Sequence, residues 1–330
     1  MPGSRVECVL CPHHCKIPDG RRGFCLTREN INGRLIAANY CRPVATAIDP
    51  IEKKPLYHFH PGTSIFSTGP NGCTFKCAFC QNHEIAQSIL QCDEIAAERF
   101  VEMITESNTL GIAYTYSEPT IWFETIMEIG GRIKNLGLKN VMVTNGYVEE
   151  PPLRDLLTVI DAWNIDIKSM NPDFYRRLCK GTLDPVLRAC EIVKKAGGHL
   201  EITHLLIPGE NDDPAETRRL ADFIVGHIGV DTPLHISRYF PRHRMDHSPT
   251  PAALLDRAFA IARERLLFVY VDNMPAGDRE NTYCPTCGAL LIARTGYQVT
   301  RTPKLEPTTS GSGGLPRCGA CGTTIPIITW

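Results

Sequence analysis

Between about residues 63 and 275 short β-rich runs alternate with longer amphipathic helical ones, and nothing else in this 330-residue chain restricts its fold so tightly. The strand runs are TSIFSTG, GIAYTY, NVMVTN, WNIDIK, HLEITHLLI, LHISRYF and LFVYVDN. Helical patterns fill the gaps: DEIAAERFVEMITES, PTIWFETIMEIGGRIKNLG, PPLRDLLTVI, DPVLRACEIVKKAG, PAETRRLADFIVGHI and PAALLDRAFAIARERL. Several open on Asp or Pro and stop near Gly, as capping requires. Repeated β-then-α order predicts a parallel sheet with right-handed crossovers. Six or seven such units predict an α/β fold built as a partial (βα)6 TIM-type barrel. A doubly wound open sheet is the alternative, because periodicity does not choose between them.

The flanks read differently. Residues 1–62 lack long apolar periodicity and are rich in Cys, Gly and Pro, while from 276 onward short turns prevail, including a flexible loop, TTSGSGGLP. Three parts are expected: an N-terminal Cys-rich metal-binding module at 1–62, the barrel at 63–275, and a zinc-ribbon-like module at 276–330. Both small modules would lean on metal for stability. A hydrophobic share of 43% is ample for a core. Interspersed charges sum to −1, which leaves no basic footprint for nucleic acid or a membrane surface. The start, MPGSRVECVLCPHHC, lacks the apolar region of a signal peptide, and no apolar run approaches a membrane span. A cytoplasmic protein is expected.

Fifteen cysteines in that compartment argue for metal rather than disulfides. Cys8, Cys11, Cys15 and Cys25 sit near the start, Cys73, Cys77 and Cys80 in GCTFKCAFCQN, and Cys284, Cys287, Cys318 and Cys321 near the end. The middle three follow the first strand directly, on the barrel rim where chemistry collects. A C-x3-C-x2-C loop wraps three corners of an iron–sulfur cube and leaves one iron without a protein ligand. Such an opening separates a catalytic metal centre from a structural one. Three buried thiols, or a zinc site completed by a distant His, are the competing readings.

Cys73-x3-Cys77-x2-Cys80, with aromatic Phe79 just before the last cysteine, resembles the signature of the radical SAM enzymes. The resemblance implies a [4Fe–4S] cluster whose open iron chelates the amino and carboxylate groups of S-adenosylmethionine (SAM). It further implies a low-potential electron donor such as ferredoxin or flavodoxin, and a 5′-deoxyadenosyl radical that takes hydrogen from substrate. Tyr116-Ser117-Glu118-Pro119 resembles the Gly-Gly-Glu-Pro segment that holds the SAM ammonium, with Ser117 in place of a family glycine. A carboxylate suits an ammonium with three donors, although Glu118 before Pro119 also fits plain helix capping. VTNGY resembles the Thr-Asn-Gly segment of glycyl-radical activating enzymes, which implies a cofactor role for Asn145. Val143 stands where those enzymes carry an Asp that helps bind a cation.

Asp166 and Lys168 of DIK share one face by strand alternation. The resemblance puts this pair near SAM and substrate, with Lys168 catalytic; an internal ion pair at the barrel top is the other reading. IPGENDD also matches the activating enzymes, and a tight strand-to-helix turn suffices to explain it. Taken with CVLCPHHCKIPDGRRGFC, DPIEKKPLYHFHPG and CPTCGALLIARTGY, the chain resembles nearly end to end the radical SAM enzyme of the AmmeMemoRadiSam system. That family is similar to pyruvate formate-lyase activating enzymes. Its name implies Memo-type and AMMECR-type partner proteins and leaves the substrate open. The alternatives are activation of a glycyl-radical enzyme and a non-catalytic zinc or iron–sulfur binding module.

CPTCG and CGACG are paired knuckles, each with a Gly after the second Cys that permits close backbone approach to sulfur. A zinc ribbon on Cys284, Cys287, Cys318 and Cys321 is expected, with rubredoxin-like iron as the alternative. CVLCPHHC followed by Cys25 offers four thiolates in a C-x2-C-x3-C-x9-C arrangement. Zinc and an auxiliary iron–sulfur cluster both fit, and Cys41 competes with Cys25 for the fourth place. His13 and His14 are read as neighbours or surface groups rather than ligands. ARTGYQV is read as a hairpin turn at Gly296. Arg238, His243 and Arg244 either face an anionic ligand or form a solvated basic loop. His58 and His60 have no assigned role.

Overall fold

The computed structural model describes residues 5–307 and 314–329, so most of the TTSGSGGLP loop, 308–313, lies outside the described residues. An eight-stranded sheet forms the centre. Seven strands run parallel in chain order: β2 (Ser64–Pro70), β3 (Gly111–Tyr114), β4 (Lys139–Thr144), β5 (Ala162–Asp166), β6 (His199–Leu206), β7 (Leu234–Arg238) and β8 (Val269–Asp272). A further strand, β1 (Pro43–Pro50), lies antiparallel to β2 at one edge. The order never reverses, which excludes the doubly wound alternative, whose strand order turns back at a switch point. β1 and β8 are the two edges, so the barrel is partial.

Helices follow the first six parallel strands: α1 (Ala97–Glu106), α2 (Phe123–Asn135), α3 (Glu150–Leu156), α4 (Asp184–Lys195), α5 (Pro214–Phe223) and α6 (Ala252–Arg263). Six βα units therefore precede a closing seventh strand. Their limits follow local chemistry. Asp213 caps α5 by accepting from Ala215 N at 2.8 Å, with Pro214 at the first helical position. In α2, Ile126, Ile129 and Ile133 recur on one buried face.

Strand alternation splits the apolar residues into two cores. Phe66, Tyr114, Met142 and Trp163 face the helices and pack with Phe100, Trp122 and Ile126. On the other face, Ile65, Ala113, Val141 and Ala162 make a smaller cluster, closed by Ile51, Leu56 and Phe59. The segment just before β2 thus plugs the concave side of the sheet.

The N-terminal residues add two antiparallel pairs, Val6–Glu7 with Lys16–Ile17 and Arg28–Ile31 with Arg34–Ala37. At the other end β9 (Thr282–Tyr283), β10 (Leu290–Thr295) and β11 (Gln298–Arg301) form an antiparallel sheet with its own small core around Leu291, Ile292, Ile325 and Ile327. Gly296, at φ +60°, turns the chain between β10 and β11, so ARTGYQV is a hairpin. Among the described residues no helix is long and apolar enough to cross a membrane.

A buried polar network ties the pieces together. Glu201 of β6 accepts from the backbone N–H groups of Tyr57 and His58 at 3.0 and 2.8 Å. His235 of β7 lies between Glu201 and Asp272, at 2.7 and 2.8 Å. Arg294 of β10 stacks 4.1 Å from the Tyr57 ring centre and donates to Tyr57 O. His58, without a role on sequence grounds, bonds Tyr270 Oη and Pro326 O. It fastens the C-terminal sheet to the barrel.

Candidate functional site

The loop after β2 carries Cys73, Cys77 and Cys80, and its shape is fixed by its own polar groups. Asn71 donates to Ile85 O and Ser88 O and accepts from Leu90 N, closing residues 71–90 into a compact turn. Lys76 N and Ala78 N bond to Cys179 O and Leu178 O, both at 2.9 Å, which docks the loop on the segment before α4. Gly181 lets Phe75 approach closely: a Cβ there would lie 2.3 Å from the Phe75 ring. Burial, then the charges of Glu118 and Cys77, pushes the Cys73 thiol well up. Burial and Cys77 also raise the pKa of Cys80. Three thiols gathered beside a carboxylate, Cys77 buried and Cys73 and Cys80 partly so, become thiolates when a cationic centre holds them, so the donor set fits a three-thiolate cluster.

The neighbouring strand ends complete a rim. Glu118, after β3, is wholly buried and holds three donors: Thr144 Oγ1 at 2.6 Å, Thr120 N at 3.0 Å and Asn145 N at 2.8 Å. It caps the short helix Pro119–Trp122 and locks the end of β4 to that of β3. Burial raises its pKa, and those bonds work against the rise. Asn145 donates to Thr74 Oγ1 at 3.0 Å and points its amide at Cys73 Sγ, 3.7 Å away. Its structural contribution is to pin the cysteine loop.

Tyr116 takes φ +68° and sends its hydroxyl to Asp49 at 3.0 Å, beneath the rim. Buried Lys54 pairs with the same Asp49 at 2.7 Å. Ser117 turns its hydroxyl to Pro70 O at 2.5 Å, so the serine in the family's glycine place is accommodated by bonding β2. Phe79 is buried, its ring 5.7 Å from that of Phe174.

Asp166 ends β5, and Lys168 lies two residues beyond the strand with its ammonium 2.8 Å from Asp166. Burial disfavours the Lys168 charge, but Asp166 and the nearby Cys77 outweigh it and raise the pKa. Asn211 of IPGENDD donates to Lys168 O and Leu205 O and accepts from Ile207 N, so that motif builds the turn leading to α5. From the basic loop after β7, Arg244 N bonds to Ala78 O and His243 stacks on His83 at 4.4 Å. Arg238 lies over Phe240.

The two flanking cysteine sets differ in spacing. At the C-terminus Cys284 and Cys321 sulfurs stand 3.6 Å apart, those of Cys287 and Cys318 3.7 Å, and all four lie within 4.8 Å. One tetrahedral ion with metal–sulfur bonds of about 2.3 Å separates its thiolates by about 3.8 Å, so this set fits a single ion. Gly288 and Gly322, at φ +72° and +77°, reverse each knuckle. A Cβ at either would meet nothing within 4 Å, so backbone handedness, and not the expected close approach to sulfur, requires glycine. Among the described residues the N-terminal four form no group as tight as this. Cys41 is engaged differently: its N–H bonds Thr125 Oγ1 at 2.9 Å, and its thiol lies beside Tyr40, within electrostatic reach of Glu128 and Glu94.

Comparison with known proteins places this arrangement. The model of the Radical SAM superfamily matches residues 68–221, which include the cysteine loop and the rim through β6. An uncharacterized protein of Methanocaldococcus jannaschii is 43% identical over 99% of this chain and 97% of its own length. The chain belongs to the radical SAM superfamily. A pyruvate formate-lyase-activating enzyme of Listeria monocytogenes is 24% identical over 46% of this chain and 66% of its own length. A radical SAM methyltransferase from Sphaerobacter thermophilus shares the fold with a TM-score of 0.51 and 18% identity, over 70% of this chain and 71% of that one. This radical SAM chain thus carries the superfamily core with an additional cysteine set on either side.

Proposed function

We propose that this chain is a radical SAM enzyme of the AmmeMemoRadiSam type, cleaving SAM reductively to start hydrogen abstraction from a substrate still to be identified. The observation that carries the reading is the meeting of Cys73, Cys77 and Cys80 with Glu118, Asn145 and Lys168 at the C-terminal ends of consecutive strands. Cys73, Cys77 and Cys80 would hold a [4Fe–4S] cluster, which would supply the electron for reductive cleavage of SAM. The chain does the rest. Asn145 fixes the loop, Glu118 holds the β3 and β4 ends in register beside it, and the Asp166–Lys168 pair offers a cation within reach of Cys77. Phe79, Tyr116 and Ser117 shape the walls. A low-potential ferredoxin or flavodoxin is the proposed donor, Memo-type and AMMECR-type proteins the proposed partners, and zinc the proposed ion of the C-terminal four.

Anaerobic reconstitution with iron and sulfide, then dithionite and SAM, tests this by measuring 5′-deoxyadenosine. Cys77→Ala is expected to abolish the product, whereas Cys318→Ala mainly lowers stability. Absence of product from the intact protein under any reductant would leave a non-catalytic metal-binding module. The likeness to a pyruvate formate-lyase-activating enzyme favours a second reading, activation of a glycyl-radical enzyme. A stable glycyl doublet in the EPR spectrum of a partner would select it.

A further inference from the structure

The N-terminal cysteines meet in a small, well-bonded fold of their own. Cys8 N bonds Cys15 O at 3.0 Å, His14 N bonds Cys11 O at 3.1 Å with His14 at φ +43°, and Phe24 N donates to Cys15 Sγ at 3.4 Å. Cys8, Cys11 and Cys25 are buried, and Cys11 lies within electrostatic reach of the other three. The guanidinium of Arg28, itself buried and bonded to Glu124, lies within electrostatic reach of Cys8 and Cys25. All four thiols are free. His14 has no free ring nitrogen, since it lies between Glu149 and Glu7, while His13 gives Nε2 to Thr74 O at 2.7 Å and keeps only Nδ1. The four thiols by themselves make a complete all-sulfur donor set, which suits zinc or an iron–sulfur cluster.

Spacing separates the two. Among the described residues, only the C-terminal cysteines bring three or more candidate donor atoms within 4.8 Å of one another. No three sulfurs of the N-terminal four all lie within that distance of one another, nor do those of Cys73, Cys77 and Cys80. A single ion pulls its thiolates to about 3.8 Å. A cubane holds each on a different iron and keeps them farther apart. We infer that Cys8, Cys11, Cys15 and Cys25 ligate a second iron–sulfur cluster, fully protein-ligated and distinct from the one on Cys73, Cys77 and Cys80.

Its place in the fold gives it a partner. A Cβ on Gly72 would lie 2.3 Å from Cys25 O, so the two cysteine loops touch through backbone. The Lys76 ammonium lies 5.5 Å from the Phe24 ring centre and within reach of the charges of both Cys73 and Cys25. The second cluster abuts the first with one lysine between them, a position suited to passing electrons inward.

Metal and sulfide analysis of the anaerobically reconstituted full chain decides the matter. Two cubanes predict roughly eight irons and eight labile sulfides per chain, beside the C-terminal ion. The Cys11→Ser/Cys15→Ser double variant should lose about half the iron and leave zinc unchanged. Replacing Cys73, Cys77 and Cys80 together should leave the N-terminal half of the iron in place. Because the intact protein already gives the count, a variant that misfolds does not hide the answer. About four irons and two zincs in the intact chain overturns the inference. Deoxyadenosine formation plays no part in the count, so failure of the proposed activity and failure of this assignment are separable outcomes.

Discussion

Glu118 shows how much of the rim depends on one side chain. Its carboxylate is wholly buried and serves a hydroxyl and two backbone N–H groups, so removal leaves three buried donors without an acceptor. Glu118→Ala should therefore cost about 2–4 kcal/mol in urea unfolding, combining unsatisfied donors with a small cavity. A loss within 0.5 kcal/mol of the intact protein would show that water or a shifted side chain replaces those bonds. Lys168 makes the contrasting case. It is bonded through its ammonium to Asp166 and lies beside Cys77, yet supports no element boundary. Lys168→Met should keep the iron content of the reconstituted protein and lower the rate of deoxyadenosine formation at least about tenfold, a barrier change of about 1.4 kcal/mol. Lost iron would recast Lys168 as support for the cysteine loop.

At the level of elements, the glycines that connect them separate strain from mere handedness. Gly72 has φ +96°, and any Cβ there would collide with Cys25 O and Thr27. Gly72→Ala should push the two cysteine loops apart and cost more than about 2 kcal/mol, with iron loss from both sets in metal analysis. Gly296→Ala, at φ +60° over open space, should cost only about 1 kcal/mol and no iron. Equal costs would remove the argument for contact between the loops. The six βα units were legible because both periods repeat and the caps sit at the helix starts, as Asp213 and Pro214 do for α5. β1 was not: PVATAIDP is bounded by proline and largely half-buried or exposed, and it pairs with β2 from a Cys-rich flank. The cysteine sets were legible as spacing, but their tightness, which separates one ion from a cluster, is three-dimensional. Asn145 as anchor of the cysteine loop lay equally out of view, because it meets Thr74 across 71 residues of chain.

Across the whole molecule, the base of the barrel holds a charge that periodicity could not announce, since Glu201, His235 and Asp272 occupy strands that otherwise read as apolar. Both ring nitrogens of His235 face carboxylates, so both donate and the imidazole is protonated. Burial alone would lower its pKa, but Asp272 and Glu201 prevail and raise it to about 9. The sign follows from linkage: the folded form binds this proton more tightly than the unfolded chain, whose histidine titrates near 6.5. The stabilisation is complete below pH of about 6.5, fades as pH rises, and is gone once pH passes the folded value; its ceiling is a few kcal/mol. Because Glu201 also holds Tyr57 and His58, and Arg294 stacks on Tyr57, this proton joins β6, β7 and β8 to the plug and to the C-terminal sheet. The melting temperature of the metal-loaded protein should therefore fall between pH 7 and pH 9.5 more steeply than that of His235→Gln, which has no such proton to lose. Parallel curves for the two proteins would mean that His235 is neutral between its carboxylates and that the barrel base is held by uncharged hydrogen bonds.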